Sequence, residues 1–128
     1  MGRIMDFEEC IHGIKQAIEK RRIVDYASKS SVRRYNKAYD DCFACVRYIE
    51  KYYPDKMKQL LDMIESDYGE FTLHCGPMIL LLENSTHEQK LKALTAIKRT
   101  IELGNVDRLD RAGFQISIKQ WESELLSE

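Results

Sequence analysis

Apolar residues recur along this chain at intervals of three and four and almost nowhere at intervals of two, which is the spacing of helices with one buried face. Phe7, Ile11, Ile14 and Ile18 form the first stripe. With Asp6 ahead of it as an N-cap, a helix is predicted from about Asp6 to about Ala27. Ser28 to Ser31 is expected to break it. Val32, Tyr35, Tyr39, Cys42, Phe43, Val46 and Ile49 carry a second helix to Tyr53, where Pro54 disfavours helix in the residue before it and can open the next one. Met57, Leu60, Leu61 and Ile64 make a short third helix. After a turn at Asp67, Tyr68 and Gly69, a fourth runs through Phe71, Leu73, Cys75 and Met78 to Leu82, with a kink expected at Pro77.

Ser85 and Glu88 have the spacing of a capping box and are predicted to start a fifth helix carrying Leu91, Leu94, Ile97 and Ile101. Gly104 stands where a left-handed C-cap is wanted. Asp107 is then the expected cap of a sixth helix, whose apolar positions are Leu109, Ala112, Ile116 and Trp121. Helices of this length with short connections pack on their sequence neighbours. The predicted fold is therefore all-α, with about six helices in antiparallel pairs, the third with the fourth and the fifth with the sixth, as a short solenoid or an irregular bundle.

At 128 residues the chain suits a single domain, 1–128, burying roughly two-thirds of its unfolded surface. Charged residues at 32% and hydrophobic ones at 44% argue against a disordered or fibrous protein. The formal net charge of -1 conceals a division. Residues 1–37 hold nine Lys/Arg against five Asp/Glu, and residues 38–128 hold eleven against sixteen. No apolar run approaches the roughly 18 residues that cross a bilayer. Charges at Arg3, Asp6, Glu8 and Glu9 interrupt the place of a secretion signal, so a cytoplasmic location is expected. In a reducing compartment Cys10, Cys42, Cys45 and Cys75 are expected as free thiols.

The chemistry-bearing motifs are sparse. Cys42 and Cys45 form a C-x-x-C, but it falls mid-helix on an apolar stripe and lacks a second ligand pair, so core packing is preferred to a metal or redox site. His12, His74 and His87 stand in no motif with a nucleophile or carboxylate. The glycines are scattered singly, without a phosphate-binding loop. No cofactor, metal or catalytic residue is expected; an enzyme built from Asp40, Asp41 and a histidine ranks last.

Charge offers two candidate surfaces. Arg21, Arg22, Arg33, Arg34 and Lys37 cluster near the first interhelical turn among Tyr26 and Tyr35, a pattern able to bind phosphates and stack bases. A sequence pI near 6.3 weighs against a dedicated nucleic-acid binder, so that partner is disfavoured. Asp62, Glu65, Asp67 and Glu70 surround Tyr68 at the turn after the third helix. They would speed encounter with a basic protein while the tyrosine supplies an anchor. Asp40 and Asp41 form a second acidic pair.

The stretch Arg34-Tyr35-Asn36-Lys37-Ala38-Tyr39-Asp40, with Lys58-Gln59-Leu60-Leu61 and Lys90-Leu91-Lys92-Ala93-Leu94, resembles a family of small bacterial HEAT-like helical proteins over roughly residues 30 to 121. The resemblance implies a HEAT- or armadillo-like arrangement without established catalytic residues. It also implies service as an immunity partner of a secreted bacterial toxin. The expected function is thus a protein-binding module, a cytoplasmic bacterial immunity protein that neutralises a basic toxin, a nuclease by preference, through stoichiometric occlusion. The alternative is a nucleic-acid-associated regulator using the basic amino-terminal third.

Overall fold

Asp6 opens the first helix as its position before the stripe requires. Its Oδ1 accepts the Glu9 N–H at 2.8 Å, and Glu9 Oε1 accepts the Asp6 N–H at 3.4 Å, so two backbone donors that the helix cannot satisfy are bonded by side chains. The structure, a computed structural model, describes residues 4–22, 28–104, 106 and 108–126, with the side chains of residues 22 and 108–110 outside the description. The protein is all-α. Among the described residues there are six α-helices and no strand: α1 (Phe7–Arg22), α2 (Lys29–Tyr52), α3 (Met57–Asp67), α4 (Glu70–Leu81), α5 (His87–Glu102) and α6 (Arg108–Leu126). One 3-10 turn, Pro54–Lys56, joins α2 to α3 with Pro54 at its start. No described helix is long and apolar enough to cross a membrane.

The chain divides into two compact units, Met1–Met57 and Lys58–Glu128. In the first, α1 and α2 form an antiparallel hairpin: Arg21 meets Tyr35 at one end, and Met5 bonds Tyr48 and Tyr53 at the other. Ile14, Cys10 and Ile18 of α1 and Cys42, Val46 and Ile49 of α2 are buried. Ser28 to Ser31, expected to break the first helix, lies past α1 and begins α2. Ser28 is its N-cap and accepts the Ser31 N–H at 3.2 Å, because a serine that is a poor helix interior is a good helix start. The predicted end of the first helix at Ala27 falls outside the described residues.

In the second unit α5 packs against both α4 and α6. The predicted pairing of the third helix with the fourth gives way to a closer approach of α4 to α5. Gly76 is the reason: a methyl there would lie 2.8 Å from Ile97 Cγ1. Leu94, Ile97 and Ile101 of α5 with Ile118 and Leu125 of α6 form a buried cluster, against which Phe114 and Trp121 pack. Two expectations shift here. The cap of α5 is Thr86 with Gln89, one residue beyond the predicted Ser85 and Glu88, since two capping boxes overlap in the sequence and only side-chain geometry separates them. The buried stripe of α6 is Phe114, Ile118, Trp121 and Leu125, while the predicted core positions Ala112 and Ile116 are exposed. A shift of two residues turns a helix by about 200°, enough to move a stripe to the opposite side. Leu109 and Asp107 fall outside what is described. Gly104 has φ +78 just past the α5 C-cap, as predicted.

Candidate functional site

Where α3 ends, the chain must supply both a stop and a new helix start within two residues. Asp67 does much of this. Its Oδ2 accepts the Gly69 N–H at 3.0 Å and the Thr72 N–H at 3.3 Å, capping α4 from outside the helix. Thr72 is fully buried and donates its hydroxyl to the Ile64 carbonyl at 2.6 Å, tying the first turn of α4 to the last turn of α3. Between them Tyr68 adopts φ 52, a left-handed conformation that costs a residue with a Cβ about 1–2 kcal/mol. The residue is 39% exposed. Asp62 and Glu70 are exposed and Glu65 is half-buried. Glu70 sits in the first turn of α4, where a carboxylate also stabilises the helix. The predicted acidic residues therefore lie around one turn, with Asp67 engaged by backbone and Tyr68 partly exposed.

The basic region is arranged differently. Arg21 is half-buried, its guanidinium 5.1 Å from the Tyr35 ring centre and 4.9 Å from that of Tyr39. Its Nη2 donates to Tyr35 Oη at 3.1 Å. Stacked in this way, the cation serves the hairpin before any phosphate. Lys37 donates to Asp41 at 3.0 Å, one turn along α2, so this pair cancels a member of the basic set and a member of the second acidic pair. Arg33, Arg34 and Asp40 are exposed. The Arg22 side chain lies outside the described residues. The tyrosine stack around Arg21 was hidden from sequence reasoning because Tyr39 reaches the arginine only once the hairpin closes.

None of the four cysteines is in a disulfide; Cys10, Cys42 and Cys75 are buried and Cys45 is half-buried. Burial, and then the neighbouring Cys10 and Cys42 and Asp41, push the Cys45 thiol from its ordinary 9.0 up to about 11. Thiols held protonated in this way are poor nucleophiles and poor metal ligands. Among the described residues no group of three His, Cys, Asp or Glu is placed to hold a metal ion. His12 and His87 are exposed, and His74 is half-buried on α4. Comparison with protein-family models, with curated proteins and with solved structures gives no match to this chain.

Proposed function

We infer that this protein binds a basic protein partner through the α3–α4 turn and acts by covering that partner's surface, with no chemistry of its own. The observation that carries the reading is Tyr68: an exposed aromatic in a left-handed conformation, at the tip of a turn flanked by Asp62, Glu65 and Glu70. The left-handed conformation ends α3 and holds the partly exposed Tyr68 at the tip of the turn. Exposed carboxylates speed the approach of a cationic surface, and a tyrosine with only two side-chain torsions to fix is an economical anchor once water is excluded. The stacking of Arg21 on Tyr35 and Tyr39 and the Lys37–Asp41 pair take strength from the nucleic-acid reading.

A partner that cleaves nucleic acid carries a cationic substrate groove, and the acidic turn would occupy it in place of phosphates. An immunity-type inhibitor of a toxic nuclease, working in the bacterial cytoplasm, is the form of this function that the resemblance to small HEAT-like proteins supports. The test is a tagged pull-down from native cells at moderate salt, with protein and nucleic acid in the eluate both identified. One stoichiometric basic protein is expected, lost when Asp62, Glu65 and Glu70 become Lys and weakened about tenfold or more by Tyr68→Ala. Nucleic acid that washes off with salt, without a protein partner, would refute it.

A further inference from the structure

The outer side of α6 carries features the packing of α5 does not use. Ile116 and Leu126 are 72% and 73% exposed, and with Ala112, Lys119 and Ser123 they fall at spacings of four, three, four and three. This is a second helical stripe, on the opposite side of α6 from the buried one of Phe114, Ile118, Trp121 and Leu125. Along its inner margin runs an open groove of about 470 Å³, floored by Ile101 and Ile118 and rimmed by Lys98, Lys119, Glu102 and Glu122. The rim bears two cations and two carboxylates, so it sets up no net field for a charged ligand and is complementary to itself.

We propose that this face of α6 is a weak, two-fold interface with a second copy of the same chain, the two α6 helices lying antiparallel. The register follows from the stripe. Setting Ile116 of one copy against Leu126 of the other brings the two exposed large apolar side chains of each helix together in two equivalent contacts. The same register lays Lys119 beside Ser123 and Glu122 of the other copy, on both sides of the axis, and lays each α6 along the other's groove. An isologous contact of this kind repeats every favourable pair twice, and it closes on itself as a dimer. In the single chain Glu122 already meets Lys98 at 3.2 Å, while Lys119 has no ion pair among the described residues. The crossed pair thus extends an existing bridge between α5 and α6.

Sedimentation equilibrium over about a hundredfold range of concentration should show a monomer–dimer equilibrium for the unaltered chain. Ile116→Lys should leave the circular dichroism unchanged and give monomer throughout. Lys119→Glu alone sets a carboxylate against the Glu122 carboxylate, and Glu122→Lys alone sets an ammonium against that of Lys119, so each should weaken self-association about tenfold or more. A mixture of these two variants sets a carboxylate against an ammonium at both crossed contacts, and the double variant, Lys119→Glu with Glu122→Lys, restores both crossed pairs within one chain; each should associate as the unaltered chain does. A monomer at every concentration, a dimer indifferent to Ile116→Lys, or a double variant no tighter than the single ones would each overturn the proposal. None of these changes touches the α3–α4 turn.

Discussion

In each unit the closest helix pair has a glycine at its contact, and the two glycines meet different neighbours. A methyl at Gly13 of α1 would sit 3.0 Å from the Sγ of half-buried Cys45 on α2, whereas one at Gly76 of α4 would meet two carbons of fully buried Ile97 on α5. A thiol with space beside it can rotate away. A core isoleucine enclosed on all sides cannot move without displacing its own neighbours. The same residue type thus marks a tolerant contact in the first unit and an intolerant one in the second. Charge differs as well: in the hairpin Arg21 stacks on Tyr35 and Tyr39 and Lys37 pairs with Asp41, while at the α3–α4 turn Asp62 and Glu70 are exposed.

Paired substitutions can break this comparison. Gly76→Ala should be among the most damaging, since overpacking a filled core costs about 1–3 kcal/mol and the helix-propensity gain of about 1 kcal/mol offsets only part of it, leaving a net loss of up to about 2 kcal/mol. Urea denaturation followed by circular dichroism would read it as a lowered midpoint. Asp67→Ala should come next, with a loss of about 0.5–2 kcal/mol through the two amides it leaves without their side-chain acceptor; hydrogen exchange at Gly69 and Thr72 should rise before that of the rest of α4.

Alkaline titration reaches the hairpin through Cys45. The folded Cys45 thiol ionises near 11 against 9.0 for the unperturbed group, so its contribution is intact below about pH 9 and is lost as the pH rises toward 11. Cys45→Ala should flatten that limb, and an unchanged slope would show that other groups produce it. Gly13→Ala should be near neutral, because a helix-propensity gain of about 1 kcal/mol offsets a contact the thiol can relieve. If it costs as much as Gly76→Ala, the distinction between the two contacts fails. Lys37→Ala should change stability least, by under about 0.5 kcal/mol, as expected of an exposed pair one helical turn apart.

Helix content, the Asp6 cap, the Pro54 start and the Gly104 C-cap were all legible in the sequence, because each depends on side-chain spacing or on a residue's own backbone preference. The candidate turn was legible in part. Asp67-Tyr68-Gly69 announced a turn and its acidic neighbours were visible, but the bonds from Asp67 to the Gly69 and Thr72 amides and the left-handed Tyr68 depend on how α4 leaves α3.

Tertiary structure alone decided which of two apolar stripes on α6 faces α5, which of two overlapping boxes caps α5, and that Gly76 seats α4 on Ile97. It also decided that Arg21 stacks on both Tyr35 and Tyr39. The physical reason is common to all four. Periodicity and capping are properties of one helix read along its length, whereas the choice between two permitted faces or partners is made by the surface that packs against it.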